Sequence, residues 1–494
     1  MTAFLTSIFV LIAGYFIYGA IAERIFGIDP SRPTPAIDHA DGVDFVPLPT
    51  WKVFLIQFLN IAGLGPIFGA IMGIMFGPAA FLWIVIGTIF GGAVHDFFSA
   101  MVSLRNGGVS LPEIVGNELG RHIRAIMSVF SVILLVLVAA VFVVSPSGII
   151  AGMFAPGSQW ADTTLWVGII FAYYMLATML PIDKLIGRFY PIFGFALLFM
   201  AVGILGVLLF GNVGIPDGFS DGLHNRRPDA ESAPLFPMMF ISIACGAISG
   251  FHATQSPMMA RCLKNERLAR PVFYGAMVAE GIVALIWAAA AIAFTGGYEG
   301  LSAYMAEGKS AASLVHDISI GWLGIAGGIL AIVGVVAAPI TTGDTALRSA
   351  RLMLADMFGF DQKPIFKRLL ICIPLFAVTM AVTVQAMNPK QFEVVWRYFA
   401  WSNQTLAVFT LWAMTVYLAR HSRFYGITLV PAMFMTVVSV TFLLVAPKSQ
   451  GGLELLSGNL YPLGLGSGIA VALAFCALFY MKIKHLKNPV IDNA

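Results

Sequence analysis

Charge is what this sequence has least of: 11% of its 494 residues are Asp, Glu, Lys or Arg, against 59% that are hydrophobic. So much apolar surface exceeds what one water-facing globule could bury, so lipid must be the solvent for most of the chain. Cysteine is scarce as well. Cys245, Cys372 and Cys476 fall in apolar stretches and Cys262 beside a predicted span end, which leaves no disulfide framework and no metal knuckle. The net charge is only +3, and the basic residues lie in short segments between apolar runs, not in one patch, which excludes nucleic acid as a partner. No H-E-x-x-H or G-x-S-x-G signature occurs. Ser249 and His252, three positions apart in an irregular segment, make a poor hydrolytic dyad. The chain is therefore not read as an enzyme, and an intramembrane hydrolase is the remotest alternative. The first apolar stretch, Ala3 to Ala22, lacks a basic leader and an A-x-A cleavage site and reads as a retained span.

What is present is a succession of apolar runs, each long enough to cross ~30 Å of hydrocarbon with about 20 residues. They fall at 3–22, 52–76, 78–104, 125–144, 163–182, 190–212, 236–256, 271–295, 321–342, 365–387, 395–419, 425–446 and 462–484, which predicts an all-α membrane protein of about thirteen spans. An odd count puts the termini on opposite sides. With the N-terminus outside and the C-terminus cytoplasmic, 22 of the 28 basic residues fall on cytoplasmic segments, among them Arg105, Lys184, Arg188, Arg261, Arg348, Lys363 and Lys487. The six left outside are Arg226, Arg227, Lys309, Lys390, Arg397 and Lys448, and the longest outside loop (213–235) carries Asp217, Asp221, Asp229 and Glu231.

Two spans hold residues that a plain membrane helix avoids. The second reads Asn60-Ile61-Ala62-Gly63-Leu64-Gly65-Pro66 in mid-membrane, and the seventh runs from Gly246 through Ser249, Gly250, His252 and Gln255 to Pro257. Glycine relaxes the backbone and proline removes a donor, so both helices are expected to break. A backbone group unpaired in hydrocarbon costs several kcal/mol, so such breaks persist only around a protein-lined or wet cavity. Each proline suits the first position of the following half-helix, whose free N–H groups favour an anion, a carboxylate above all. A second pair of interruptions is expected at Ser145-Pro146-Ser147-Gly148, closing span four, and at Pro339-Ile340-Thr341-Thr342-Gly343, closing span nine. Pro66 and Pro257 are 191 positions apart and Pro146 and Pro339 193, five spans in each case. An odd offset turns the second copy upside down, the inverted repeat of many secondary transporters.

Residues 52–212 and 236–419 are then two five-helix repeats, similar to the LeuT arrangement, with discontinuous first and sixth members. Residues 1–51 form a peripheral helix and cytoplasmic loop, and 420–494 two peripheral helices and a basic tail. A channel-like passive permease is the alternative, but it would more often show a repeated filter sequence than internal symmetry.

The substrate is expected against Ala62, Gly63, Leu64, Gly65, Ser249, Gly250, His252, Gln255 and Asn403, with Asn60 and Gln57 one and two turns before the first break. Ionisable groups within spans are costly and so functional candidates: His95 and Asp96 in span three, His252 in the second break, Glu280 in span eight. A proton-coupled transporter needs a group that titrates near neutrality, and His252 is the first choice, with Asp96 and His95 as further candidates unless Asp96 is a structural partner for His95. Sodium is the competing coupling ion. Thr341 and Thr342 hydroxyls with carbonyls near Ala62 and Gly65 would supply hard oxygen ligands, unless the threonines bond back to their own helix. No organic cofactor is expected; H+ or Na+ is the coupling ion. Ser402, Asn403 and Gln404 form a polar cluster in span eleven that reads more readily as glue between helices than as pathway. Asp344, Arg348 and Arg351 read as a solvated helix end with intrahelical pairing, or else as an inner-gate ion pair with Asp96 or another acid.

The stretches Ala62-Gly63-Leu64-Gly65-Pro66, Gly92-Ala93-Val94-His95-Asp96, Cys245 through His252 (CGAISGFH), Gly343 through Arg351 (GDTALRSAR) and Trp401 through Ala407 (WSNQTLA) resemble the carbon starvation protein A (CstA) family. The resemblance implies uptake of small nutrients, peptides or in some members pyruvate, by ion-coupled import. It also implies a place in the amino acid–polyamine–organocation superfamily and a multi-pass location in the bacterial inner membrane. The chain looks like a short form without the longer C-terminal extension of some members.

Overall fold

The computed structural model describes residues 1–152, 154–155, 157–179, 186–216, 219, 222–362 and 364–487. Lys184, Asp217, Asp221, Lys363 and the tail beyond Lys487 lie outside them, as do the side chains of Arg188, Lys390, Arg397 and Lys487. The described residues form an all-helical bundle with no strand. Nine of the helices are long and apolar enough to cross a membrane, or ten if a bent pair is one span, which makes this a multi-pass membrane protein.

Every predicted span contains helix, but three do not meet the length and composition of a full crossing. Thr163–Met179 has 17 residues, the seventh span is split into Leu235–Ser242 and His252–Ala260, and Pro389–Arg420 opens on a charged first half. We number the elements that position the site: α1 Thr2–Phe26, α2 Thr50–Ile61, α3 Gly65–Ile74, α4 Ala79–Arg105, α5 Arg121–Ala151, α6 Thr163–Met179, α7 Leu235–Ser242, α8 His252–Ala260, α9 Glu266–Phe294, α10 Ala337–Phe358 and α11 Pro389–Arg420.

The second span breaks where its glycines are. Ala62 leaves the helical region at φ −82°, ψ 51°, the Gly63 N–H turns back to the Ile61 carbonyl (3.0 Å), and α2 and α3 meet at 54°. That turn strips the Leu59 carbonyl of its i+4 donor. The Thr342 hydroxyl of α10 donates to it at 3.1 Å, so the freed backbone group is satisfied by protein, as hydrocarbon requires. Pro66 stands in the first turn of α3, where its missing N–H costs nothing.

The expected interruption at Pro146 is absent: α5 runs unbroken over 31 residues with the proline inside it. Proline there deprives the Phe142 carbonyl of its helical donor. Tyr174 Oη of α6 replaces that donor at 2.9 Å, and it also lies 3.3 Å from the Pro339 carbonyl. Pro339 does not close a span either. It lies inside a helix that runs from Gly327 to Phe358, of which α10 is the second part, and which passes unbroken through the Gly343–Arg351 stretch. The Pro146–Pro339 pair therefore marks no second set of breaks.

The bundle ends are stitched by loops that contact one another. At one end the Arg105 guanidinium holds Glu266 through Nε (3.0 Å) and Nη2 (2.9 Å), the Asp29 N–H donates to the same carboxylate, and the Leu48 N–H donates to the Cys262 carbonyl. At the other, the Met1 ammonium donates to the Ile215 carbonyl, the Arg226 N–H to the Phe76 carbonyl and Tyr461 Oη to the Phe236 carbonyl.

Candidate functional site

The two breaks meet. A Cβ on Gly65 would fall 2.3 Å from Cys245 Cβ and Sγ, so glycine there lets the first break pack on the second, and a Cβ on Gly246 would be in ordinary contact with Pro66 Cα at 3.8 Å.

The second break, 243–251, is held from outside by α11. Asn403 Oδ1 accepts from the Phe251 N–H (2.6 Å) and the Ser249 hydroxyl (3.0 Å). The Asn403 carbonyl accepts from the Gly250 N–H (3.2 Å), and Gln404 Nε2 donates to the Ile248 carbonyl (3.1 Å). Thr88 Oγ1 of α4 donates to the Gly246 carbonyl at 3.2 Å. Gly250 is required there: a Cβ would lie 2.2 Å from the Asn403 carbonyl oxygen. The polar cluster of span eleven is thus glue, of a directed kind that satisfies an unwound strand.

Helix α8 resumes at His252, so Pro257 lies in its second turn and not at its first position. The N–H groups expected to await an anion are occupied. Those of His252, Ala253 and Thr254 donate to the carbonyls of Ser249, Gly250 and Phe251, and that of Phe251 to Asn403. The carboxylate site foreseen at this helix start has no free donors in this arrangement.

His252 stands inside a chain of ionisable groups on three elements, all fully buried. Its Nδ1 lies 3.0 Å from Asp96 Oδ2; the other Asp96 oxygen lies 2.8 Å from His95 Nδ1; and His252 Nε2 is 3.6 Å from Glu280 Oε2 on α9. An ionised carboxylate only accepts, so an ionised Asp96 fixes the proton of each imidazole on Nδ1 and leaves each Nε2 as a lone pair. Neither Nε2 has a hydrogen-bond partner among the described residues, and neither Glu280 oxygen has one. Four titratable groups in contact, with open valences at both ends, can relay or store a proton, and a fixed ion pair needs none of those open valences. His95, Asp96 and His252, separate candidates in the sequence, are brought together here by packing. Glu280 completes the row.

The other expected residues fall in separate places. Thr341 Oγ1 donates to the Ala338 carbonyl (2.8 Å), the back-bonded alternative; Thr342 does so too (2.9 Å) while also reaching Leu59. Of the proposed sodium ligands, Thr342 is the one that reaches across to the first break, while Gly65 packs on Cys245. Gln255 Nε2 donates to Thr254 Oγ1 (2.8 Å) and Ser349 Oγ (3.3 Å), and Gln57 Nε2 to Ser256 Oγ (3.2 Å). Their Oε1 atoms, and both side-chain polar atoms of Asn60, are buried without partners among the described residues.

Arg348 and Arg351 are not a solvated helix end. Both are fully buried and converge on Asp44, a loop residue that no sequence motif singles out. Arg351 Nη2 lies 3.1 and 3.2 Å from the two Asp44 oxygens, and Arg348 Nη1 3.5 Å from one. Burial pushes the Asp44 carboxyl up, but the guanidiniums of Arg351, Arg348 and Arg261 more than offset it and hold it below the ordinary carboxylate range.

With that geometry in place, comparison with known proteins is decisive at the level of family. The family model described as carbon starvation protein CstA matches residues 1–161 and 147–327. The chain belongs to that family. Among its relatives, an uncharacterized membrane protein of Haemophilus influenzae is 43% identical over 339 aligned positions, 60% of this chain and 91% of that protein. The peptide transporter CstA of Campylobacter jejuni is 26% identical over 596 aligned positions, covering 96% of this chain and 82% of its own length. The pyruvate/proton symporter BtsT of Escherichia coli is 28% identical over 340 aligned positions, 57% of this chain and 47% of that protein. The CstA-family match covers both breaks, His95, Asp96, His252 and Glu280.

Proposed function

We propose that this CstA-family protein is an ion-coupled secondary transporter of the bacterial inner membrane. It imports peptides or a small carboxylate such as pyruvate, with His252, Asp96, His95 and Glu280 as the proton-carrying unit. The observation that carries this reading is the buried row of two imidazoles and two carboxylates, which passes through a helix break at His252 and ends on atoms without hydrogen-bond partners among the described residues. Relatives named as a peptide transporter and a pyruvate/proton symporter support the substrate class and the coupling ion. The Asn60 amide and the Oε1 atoms of Gln57 and Gln255, without partners among the described residues, supply neutral hydrogen-bonding groups for a small polar solute.

In the same reading the chain adopts a LeuT-like core. Residues 52–212 and 236–419 are the inverted repeats, 1–51 and 420–494 are peripheral, and about thirteen spans run from an outside N-terminus to a cytoplasmic C-terminus. Support comes from the meeting of the two breaks and from loop contacts: Asp29, Arg105, Cys262 and Glu266, all assigned inside, meet at one end, while Met1, Phe76, Ile215 and Arg226, all assigned outside, meet at the other.

The test is uptake of labelled pyruvate and of a dipeptide into proteoliposomes under imposed proton and sodium gradients. An inside-alkaline gradient drives accumulation, and His252→Gln loses it. Full proton-driven uptake by His252→Gln removes the proton unit; downhill equilibration without accumulation replaces symport with a passive permease. A sodium reading has one observation in its favour, the Thr342 hydroxyl bridging α10 to the freed Leu59 carbonyl; accumulation driven by sodium alone and lost in Thr342→Val would select it.

A further inference from the structure

Two long helices follow α11: α12 (Gly426–Val445) and α13 (Tyr461–Lys487), packed on α11 and on each other, outside the residues that the family model matches. Where α11 gives way to α12, a pocket of about 550 Å³ opens beside the last turns of α13, within the range of about 300–1,000 Å³ usual for ligand sites. Its lining includes Ser422, Arg423 and Tyr425 from the α11–α12 connection and Tyr480, Ile483 and Lys484 from α13. The Tyr425 ring packs on buried Phe479 (centroids 5.2 Å apart), which in turn lies 5.3 Å from Tyr480, so the aromatic wall is anchored in the bundle.

Four cations gather at this end of the bundle, and they are not used alike. Glu118, on the short helix Leu111–Leu119, accepts from Arg420 Nη1 at Oε2 (3.1 Å), and its backbone carbonyl accepts from Lys482 Nζ. Arg423 and Lys484 make no ion pair and no side-chain hydrogen bond among the described residues, and both are exposed. The Arg423 guanidinium lies over Gly27, the residue that ends α1, so it is held in place without being neutralised. One pocket thus gathers two uncompensated cations, from segments far apart in the chain, with two phenols and a serine hydroxyl. Beside it Phe424 (68% exposed), Leu478 (57%) and Met481 (54%) turn apolar side chains outward. In a multi-pass membrane protein, outward apolar residues next to tyrosines and basic heads mark the level where hydrocarbon gives way to headgroups.

We propose that this pocket binds the phosphate of an anionic phospholipid. Arg423 supplies a planar fork for two phosphate oxygens, Lys484 a point charge, and the Ser422, Tyr425 and Tyr480 hydroxyls neutral donors. The acyl chains lie against the outward apolar side chains beside the pocket. Basic pockets between membrane helices hold anionic headgroups in this way, whereas a zwitterionic headgroup would bring its own cation against Arg423 and Lys484. A lipid seated there bridges the end of α11, the helix that fastens the second break, to α13. The site is independent of the transport reading and is tested without transport.

The test is titration of the full chain, stripped of lipid in detergent, with dioleoyl phosphatidylglycerol, dioleoyl phosphatidylcholine or inorganic phosphate, with the first bound copy measured by native mass spectrometry. The unaltered protein should bind phosphatidylglycerol more tightly than phosphatidylcholine. Each cation beside an anionic headgroup is worth about fivefold in affinity, so Arg423→Gln with Lys484→Gln should weaken phosphatidylglycerol roughly 25-fold. Lys264→Gln with Arg267→Gln, an exposed pair of equal charge outside the pocket, should leave that affinity unchanged. Equal losses in the two double variants, or equal affinity of the unaltered protein for the two lipids, overturn the proposal. Inorganic phosphate bound as tightly as phosphatidylglycerol, and lost in Arg423→Gln with Lys484→Gln, gives the site to a free anion and overturns the lipid. Should that double variant not fold, Lys484→Gln alone, at an exposed position, should still weaken phosphatidylglycerol about fivefold, and an unchanged affinity there overturns the proposal equally.

Discussion

Replacing Asn403 by Ala removes the acceptor on which the unwound stretch 243–251 depends. In the native protein Asn403 Oδ1 takes the Phe251 N–H at 2.6 Å and the Ser249 hydroxyl at 3.0 Å, all three groups being buried. No water from bulk can replace it at no cost, and a buried donor left unpaired costs about 1–3 kcal/mol. For the Phe251 amide alone that corresponds to roughly 5- to 150-fold more frequent local opening. Hydrogen exchange reads this directly, since amide protection reports the free energy of local opening. Exchange across residues 249–252 should accelerate by that factor in Asn403→Ala, while amides in the middle of α5 keep their protection. Asn403→Asp, which retains an acceptor at Oδ1, should protect the Phe251 amide better than Asn403→Ala. Exchange in Asn403→Ala within about twofold of the native rate would refute the claim that α11 satisfies the break.

Other outcomes follow from the same accounting. Tyr174→Phe should destabilise by about 1–3 kcal/mol, and by less in a Pro146→Ala background, where the restored N–H serves the Phe142 carbonyl; additive losses in that double-mutant cycle would contradict the assignment. Gly65→Ala should lower thermal stability and uptake together, and Cys245→Gly should recover part of both by making room for the new methyl; no recovery would show that the breaks do not touch. Because the Asp44 carboxyl is held below its ordinary value, its contribution to stability is fully present above the unfolded value of ~3.9 and is lost as pH falls through the lower folded value. Asp44→Asn should therefore flatten the acid limb of a stability-against-pH curve, and an unchanged limb would remove the ion pair from the account.

The parts of this protein legible in its sequence are those fixed by one residue's own backbone. Gly63 and Gly65 next to Pro66 announce a break because no partner elsewhere is needed to make glycine permissive or proline a poor donor. Pro146 carried the same local signal and misled, because Tyr174, 28 positions later, repairs the carbonyl that the proline orphans. Polar runs were harder still. Gly343–Arg351 reads as a helix end by composition, yet α10 continues because Asp44 from a distant loop neutralises charge that would otherwise end it. His95, Asp96 and His252 were legible as costly residues in apolar surroundings, and Glu280 for the same reason; their sharing one row was not, because it depends on how α4, α8 and α9 pack.

The manner in which the second break is fastened has a mechanical consequence. Residues 243–251 are bonded to α11 through Asn403 and Gln404 and to α4 through Thr88. Against residues 62–66, by contrast, they present Cys245 and Gly246, which meet Gly65 and Pro66 in bare van der Waals contact. One side of that junction is bolted and the other is a dry bearing, so parting the two unwound strands breaks no hydrogen bond between them. A shear there needs only small side chains to slide, with α11, α4 and the second break travelling as one block.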